Sequence, residues 1–368
     1  MTAAPPSQPT GRSGRTKQIA WFVLGLLIVV AIFVLAIPRF ADWGEVWAAM
    51  KTLTIMEFWS LFGVMIFNLY TYWLANKAAL PGLRLKQSAV VTQTGTAVAN
   101  AVPAGGAVAI GMSHAILSSW GFTGGETALY VGVTGIWNNF TKLALPVVAL
   151  GLLVVTGHTN AALVGAAAVG IAVLIAAIVV LAFVFRSSAA ARRVGAFIGR
   201  TVSWFKRLVR KGPVLDLGER AVEFRRKTIV LVERRWLKLT WTTALSQTAL
   251  FLVLLLSLRH MGVSEHEVST AEAFAVYTFA RLLSAIPITP GGVGVIDLGY
   301  IGGLSAIHRA ESAHIIAAVL IFRVLTYGIQ IPLGGVTYFI WRAKTSWRRD
   351  TPPPGSISER LETVTAEG

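Results

Sequence analysis

Four ionisable residues stand in otherwise apolar stretches of the sequence and are its clearest candidates for binding chemistry: Lys142, Arg281, Asp297 and Arg323. A charge at the centre of a membrane helix costs about 2.5–3.5 kcal/mol, so each one needs a partner or a water-filled cavity. Three of these residues are positive and one is negative. One arginine can pair with Asp297 while another extends to the membrane interface. Alternatively, the surplus positive charge faces an anion that enters the bundle, and a phosphate headgroup is the obvious candidate.

Two clusters of proline and glycine are the second feature of the sequence that points to a binding site. Their hinge and turn residues are Pro103, Gly105 and Gly106 in the first cluster, and Pro287, Pro290, Gly291, Gly292 and Gly294 in the second. Glycine lacks Cβ, and a helix that starts at Val293 or Val295 would offer free N–H groups to an anion. Such glycines also serve as turns and helix-packing positions. Because Arg281 precedes it and Asp297 follows it, the second cluster favours a headgroup site.

Enzymatic and metal-binding patterns are weak in this sequence. Ser113-His114 and Ser305 with His308 lack an orienting acid, the six histidines show no metal-ligand spacing, and no Walker motif occurs. Cysteine is absent, which excludes disulfides and thiolate chemistry. Gln93 and Asn138-Asn139 are expected to make hydrogen bonds between helices. We therefore predict no enzymatic activity, no metal and no cofactor.

The composition indicates the environment that must position these residues. Of 368 residues, 55% are hydrophobic and 14% are charged, and the mean hydropathy is +0.65. A soluble protein carries about 25% charged residues, so this chain cannot cover itself with polar surface. It is predicted to be an all-α polytopic membrane protein. Its net charge of +16 then bears on orientation and anionic lipids rather than on nucleic acid.

Six stretches are long and apolar enough to cross a bilayer, which takes about 20 residues. They are Ile19–Ile37, Phe58–Asn76, Tyr130–Val155, Ala161–Phe185, Leu239–Leu258 and Ala313–Trp341. The polar segment Thr156–Asn160 separates the third from the fourth, and the last is interrupted by Arg323 and Pro332. The sequence therefore predicts about six full transmembrane helices.

Two further stretches, Ser88–Ser118 and Ala271–Ser305, are less clearly apolar. The distribution of charge along the chain predicts that they form hairpins. Residues 186–238 hold fifteen basic and four acidic side chains, a net charge of +11, and so are predicted to be cytoplasmic. The basic positions near Lys86 are assigned to the same side, so Ser88–Ser118 must cross the membrane either twice or not at all. Half of either stretch makes roughly 22 Å of helix, less than the ~30 Å hydrocarbon core. We therefore predict two re-entrant hairpins that enter from opposite faces.

The two hairpins suggest an inverted repeat, in which broken helices mark a transport site near the bilayer midplane. The alternative is that both elements reflect only the general frequency of Gly and Pro in membrane helices. The predicted domains are a disordered cytoplasmic tail over 1–18, one transmembrane domain over 19–341 and a disordered cytoplasmic tail over 342–368. Within 186–238, Arg192–Lys211 is either an interfacial amphipathic helix or a plain cytoplasmic loop.

Three segments resemble the flippase-like, lysylphosphatidylglycerol synthetase transmembrane family: Asn100–Gly106, Ala280–Asp297 and Ala317–Pro332. The resemblance implies a bacterial plasma-membrane protein that moves, or helps to move, a lipid between leaflets. Bifunctional members carry a soluble aminoacyl-transferase domain after the last span. Here only a short tail follows Arg349, so lysyl-lipid synthesis by this chain is not expected. The family often has Glu in place of Asp297, and a charged pair where this chain has Ala107–Met112.

The leading hypothesis is a lipid translocase, or an accessory to one, that acts on an anionic phospholipid or a polyprenyl-phosphate-linked envelope lipid. Lys142, Arg281, Asp297 and Arg323 form its predicted headgroup site. The alternative is a non-catalytic scaffold that binds a cell-envelope enzyme through residues 186–238. An intramembrane transferase is a third reading, which rests only on scattered His and Asp. Anionic membrane lipids are the expected partners, and the oligomeric state is not predicted.

Overall fold

The computed structural model describes residues 43–101, 105–157, 161–190, 217–284, 292–307 and 311–344, with isolated positions between 192 and 199. Regular structure in these ranges is helical throughout. The helices are α1 (Trp43–Lys51), α2 (Ile55–Ala79), α3 (Leu85–Ala101), α4 (Gly105–Ser118), α5 (Gly124–Val155), α6 (Ala161–Arg186), α7 (Leu217–His260), α8 (Thr270–Leu283), α9 (Val295–Ser305), α10 (Ser312–Arg323) and α11 (Gln330–Ala343), with a π-helical turn, Val324–Gly328, between the last two. The predicted all-α membrane fold is confirmed.

Four helical stretches in the described ranges are long and apolar enough to span a bilayer: α2, α5, the Ala221–His260 part of α7, and the continuous run from Ser312 to Ala343. They contain four of the six predicted spans. A fifth, Ala161–Phe185, coincides with the apolar helix α6, and α5 ends at Val155 as predicted. Ile19–Ile37 and both predicted tails, apart from residues 342–344, lie outside the described residues. The count of six spans stays a prediction.

Polar caps determine where several of these helices begin. Thr54, Thr123 and Ser269 precede α2, α5 and α8, and each hydroxyl accepts the N–H of a glutamate three residues later. Each glutamate carboxylate in turn accepts the backbone N–H of the capping residue. This reciprocal cap satisfies N–H groups that the first helical turn leaves unpaired. Local sequence therefore fixes the starts of three helices that surround the centre of the bundle.

The first hairpin consists of α3 and α4, and the second consists of α8 and α9. The arms of each hairpin pack against each other, and contain 17 and 14 residues in the first and 14 and 11 in the second. At 1.5 Å per residue no arm exceeds about 26 Å, less than the ~30 Å core. The predicted breaks at Pro103, Pro287, Pro290 and Gly291 fall between the arms, outside the described residues.

The two ends of each hairpin lie at the same end of the bundle. Leu83, just before the first hairpin, and Trp120, just after it, share one buried cluster. The segments that flank the second hairpin also meet, since a Cβ on Gly262 would lie 3.6 Å from His314 Nδ1. Each hairpin thus returns the chain to the end of the bundle from which it came. How deeply the hairpins enter a bilayer stays a prediction, because no membrane is present.

The chain repeats one plan, namely a long helix, a short-armed hairpin and a second long helix. The first copy is α2 to α5, and the second is α7 to α11. The opening helices of the copies, α2 and α7, run antiparallel, with Ser60 Oγ 2.7 Å from His260 Nε2 and Asn68 Nδ2 donating to the Ser246 carbonyl oxygen at 3.2 Å. Each hairpin packs on the other copy, since α3 lies against α11 and α8 against α5. This exchanged, antiparallel arrangement is that of an inverted repeat.

The α3–α11 contact depends on a glycine and gives a prediction. A Cβ on Gly334 would overlap Ala97 Cβ and the Gln93 carbonyl oxygen, whereas a Cβ on the neighbouring Gly335 would have no atom within 4 Å. We expect Gly334→Ala to destabilise the protein by about 1–3 kcal/mol through overpacking. Gly335→Ala, the matched control, should leave stability unchanged or raise it slightly. Thermal unfolding in detergent measures both, and equal melting temperatures would contradict the close approach.

Candidate functional site

A polar cavity of about 170 Å³ lies where the two copies and both hairpins meet. Its charged lining residues are Arg281 of α8 and Arg323 of α10. The other polar lining residues are Asn68, Tyr72, Thr96, Asn100, Ser246, Gln247, Tyr300, Thr326, Tyr327 and Gln330. Asn68 is near the middle of α2, roughly 16 Å along the helix axis from Glu57 and roughly 14 Å from Lys77. The cavity, which we call the arginine cavity, therefore lies near mid-depth in the bundle.

Asp297 holds Arg323 in this cavity. The Asp297 carboxylate is almost fully buried, its Oδ1 atom lies 2.5 Å from Arg323 Nε, and 17% of the Arg323 side chain is exposed. The other oxygen, Oδ2, accepts the Gly294 N–H at 2.7 Å and caps α9. Gly294 has a φ of 85° and Gly292 one of 70°, values that glycine adopts without strain. The turn through Gly292 and Gly294 thus orients α9 so that its third residue, Asp297, contacts Arg323.

Arg281 has no such partner. It lies in the last turn of α8, and within the described ranges no acidic side chain pairs with it. Its Nε atom is buried without a hydrogen-bond partner, as is Nη2 of Arg323. Arg281 is therefore a surplus positive charge on the cavity wall, with donors free for a ligand.

Lys142 adds to this positive field from outside the cavity. It is 9% exposed and sits on α5, which packs against α8, where its charge repels that of Arg281. Lys142 does not line the arginine cavity. The structure thus brings three of the four predicted headgroup residues together and leaves the fourth as a neighbour that contributes through its charge.

The first hairpin reaches the site through Tyr327. The Tyr327 hydroxyl donates to the Asn100 carbonyl oxygen at 2.8 Å, and the tyrosine ring lies 5.0 Å from Arg323 Cζ, a cation–π distance. Both contacts depend on the π-helical turn Val324–Gly328, which re-aims the side chains that follow Arg323. Asp297, Arg323, Tyr327 and Asn100 thereby connect one hairpin to the other.

The glycines of the first cluster have a packing role. A Cβ on Gly105 would lie 2.5 Å from the Ala99 carbonyl oxygen, so this glycine allows the two arms to approach each other. A Cβ on Gly106 would have nothing within 4 Å. Among the second cluster's described glycines, Gly294 donates its N–H to Asp297 rather than to a ligand. The Gly294 N–H is therefore not free for a ligand, whereas the guanidinium groups of Arg281 and Arg323 keep buried nitrogen atoms without hydrogen-bond partners.

A second cavity of about 180 Å³ adjoins the first and shares Tyr72, Ser246 and Gln247 with it. It lies between α2, α5 and α7, and its remaining lining residues are Ala75, Asn76, Ala79, Val131, Thr134, Gly135, Trp137, Asn138, Leu239 and Thr243. Each of these residues is uncharged. We call it the amide cavity. It extends from the arginine cavity toward the end of the bundle that carries Lys77 and Lys238.

Sequence reasoning identified the charges of the site but missed its neutral residues. Asn68 and Gln247 lie in no motif, and Asn100 and Tyr327 lie in segments that resemble the family but have no charge that marks them. Their contacts join positions far apart in the chain. The expected interhelical role of Asn138 is present, since its Oδ1 accepts Gln247 Nε2 at 2.9 Å. Gln93 is fully buried and both of its amide atoms lack partners. Within the described part of the chain, no three His, Cys, Asp or Glu side chains gather into a metal-binding group.

Comparison with known families agrees with this architecture. Residues 22–334 match the family described as Lysylphosphatidylglycerol synthase TM region, which includes every charged residue of the candidate site. The sequence has no significant match among curated proteins. Membership ties the chain to lipid or envelope metabolism in a membrane. Because the match covers most of the chain, the protein belongs to the lysylphosphatidylglycerol synthase transmembrane-region family.

Proposed function

We propose that the protein is a lipid translocase that moves an anionic lipid between the leaflets of a bacterial plasma membrane. The observation that carries the proposal is the arginine cavity, a mid-depth site with one unpaired guanidinium group at the junction of two inverted copies. A partly buried cation inside the bundle that lacks a counter-charge is costly unless a ligand neutralises it. A lipid phosphate supplies the opposite charge, and its acyl chains stay in the bilayer.

Several features support this assignment over an enzymatic one. The polar residues that line the cavity are arginines, amides and hydroxyls, and the Asp297 carboxylate is engaged by Arg323 and Gly294. We propose that the protein performs no chemistry on its lipid and that membrane lipids are its main partners. The basic positions near Lys77, Lys238 and Arg342 favour a cytoplasmic location for that end of the bundle and for both termini.

The hairpins supply the proposed gates. We propose that the first hairpin enters the bilayer from the cytoplasmic face and the second from the outer face, so that their inner ends meet at the site. Each hairpin packs on the other copy's long helix, so the copies can exchange roles as one face opens and the other closes. This is how inverted repeats support alternating access around a fixed site.

Reconstitution tests the proposal directly. Purified protein in phosphatidylcholine vesicles is expected to accelerate the exchange of acyl-labelled phosphatidic acid between leaflets at least tenfold over protein-free vesicles, because the phosphate binds at the arginines. Acyl-labelled phosphatidylcholine in the same vesicles should exchange more slowly, since its choline brings a positive charge to a positive site. Bleaching of outer-leaflet label by a membrane-impermeant reductant measures both rates. A rate equal to that of empty vesicles would refute transport and favour the scaffold.

A further inference from the structure

The two adjoining cavities, which share Tyr72, Ser246 and Gln247, differ in charge, and this difference bears on the headgroup. The arginine cavity offers two guanidinium groups, whereas every described residue of the amide cavity is uncharged. We propose that the transported lipid carries a phosphate bonded to an uncharged group rich in hydroxyls, a polyol or a sugar, and that the amide cavity binds this group. The inference rests on the proposed function and adds a substrate class to it.

A hydrogen-bond chain fixes the amides of the second cavity. The Tyr277 hydroxyl lies 3.1 Å from Gln247 Oε1, and Gln247 Nε2 donates to Asn138 Oδ1 at 2.9 Å. With its oxygen engaged, Asn138 keeps its Nδ2 group, a double donor, for a ligand. On the opposite wall, Asn76 Oδ1 accepts the Tyr130 hydroxyl at 2.8 Å. Amides held in this way are preorganised to bind hydroxyl oxygens and lose little entropy when they do so.

Hydroxyls and one aromatic ring complete the lining. Thr243 and Ser246 line the cavity at 9% and 4% exposure, and their side chains can donate to or accept from a ligand hydroxyl. Trp137 lies beside Asn138 and its Nε1 donates to Thr240 Oγ1 at 3.1 Å, which holds the indole in place. Its apolar face can pack against the C–H groups of a sugar or polyol. Neutral donors and acceptors next to an aromatic surface match a hydroxylated ligand.

The same residues disfavour a headgroup that carries an amine. An ammonium in the amide cavity would find no carboxylate among the described lining residues, and Arg281 and Lys142 would repel it. The Asp297 carboxylate already accepts Gly294 N–H and pairs with Arg323. A buried charge without a partner is strongly unfavourable. Aminoacylated and ethanolamine-bearing lipids are therefore expected to bind worse than hydroxylated lipids of the same acyl composition.

Competition for bound acyl-labelled phosphatidic acid, in detergent and with full-length protein, tests the inference. Phosphatidic acid carries the phosphate alone and reports on the arginine cavity. The competitors are phosphatidylinositol, a polyprenyl phosphoryl hexose, phosphatidylethanolamine and lysyl-phosphatidylglycerol. We expect one or both hydroxylated lipids to compete at least tenfold better than unlabelled phosphatidic acid, and both amine-bearing lipids to compete worse than it. Whichever hydroxylated lipid competes better identifies the phospholipid or the polyprenyl source.

Two variants test whether the preference for hydroxylated lipids arises in the amide cavity. Asn138→Ala and Thr243→Val are each expected to reduce the preference for the hydroxylated lipid over phosphatidic acid about fivefold, the worth of one hydrogen bond. Thr243 lines the amide cavity alone, so Thr243→Val should also leave phosphatidic acid binding as in wild type. Asn139→Ala, a neighbour that is exposed and outside the cavity lining, is the matched control and should change nothing. Melting temperatures of all three verify folding.

The outcomes separate this inference from the proposed function. If phosphatidic acid binds in an Arg281-dependent manner but hydroxylated lipids gain no preference, or an amine-bearing lipid competes best, the inference is wrong and the translocase proposal stands. If both cavity variants keep the wild-type preference, the amide cavity is not the binding site and the inference is equally wrong. If phosphatidic acid does not bind, or binds equally to Arg281→Gln, the proposed function fails and this inference fails with it.

Discussion

Arg281→Gln is expected to slow leaflet exchange of acyl-labelled phosphatidic acid about 10- to 100-fold. A hydrogen bond to a charged group contributes about 1.5–3 kcal/mol, and glutamine removes the charge while it keeps a shorter polar side chain. The same change is expected to raise the melting temperature of the lipid-free protein, because the described structure gives the partly buried Arg281 no acidic partner, its Nε atom is buried without a hydrogen-bond partner, and a desolvated cation without a partner is costly. Function and stability should therefore move in opposite directions.

Arg342→Gln supplies the matched control. Arg342 is an exposed arginine at the end of α11, so its replacement lowers the net charge equally without touching the cavity. The rate of lipid exchange and the melting temperature should both stay near the wild-type values. If Arg281→Gln exchanged lipid at the wild-type rate, the unpaired guanidinium would not be the phosphate site, and the translocase proposal would lose its main support.

Asp297→Asn is expected to produce the largest loss of stability, about 3–5 kcal/mol, because it leaves Arg323 buried without a counter-charge. The asparagine can still accept the Gly294 N–H, so the cap of α9 is retained and the loss reports on the ion pair. Removing both charges, in Asp297→Asn with Arg323→Gln, should recover part of the stability, since the double variant buries no charge at this position. Thermal unfolding in detergent of Asp297→Asn, Arg323→Gln and the double variant gives the coupling free energy between the two side chains.

An exposed acid provides the comparison for Asp297. The Glu311 side chain, 77% exposed, can be changed to Gln with little expected effect, because surface charges contribute little to stability. Strictly additive losses in the Asp297 and Arg323 variants would contradict the pairing. The π-helical turn after Arg323 and the glycine turn before Asp297 would then need another explanation.

The parts of the fold that follow from local patterns could be predicted. The polar break at Thr156–Asn160 and the proline and glycine clusters separate helices because several helix-disfavouring residues stand together there, and α5 ends at Val155 as expected. Each hairpin returns to the end of the bundle from which it starts, and the side of the membrane on which each end lies stays a prediction.

The pairings across the bundle could not be predicted. Asp297 could have met either Arg281 or Arg323, and only the mutual position of α8, α9 and α10 decides between them. Tyr327 and Asn100 are 227 residues apart, and a π-helical turn has no pattern comparable to a proline. Lys142 was grouped with the arginines because of its charge alone, and packing places it outside the cavity lining. Tertiary geometry, not residue type, determines which polar groups share a cavity.

The length of α7 has a mechanical consequence. The helix runs for 44 residues from Leu217 to His260, about 66 Å, with no proline and with its one glycine at the second position, so no kink is built into it. Gln247, which lines both cavities, lies about 45 Å along this rod from Leu217. A protein that binds the basic end of α7 and displaces it would therefore also displace Gln247 and the cavity wall, because the helix has no hinge between these two points.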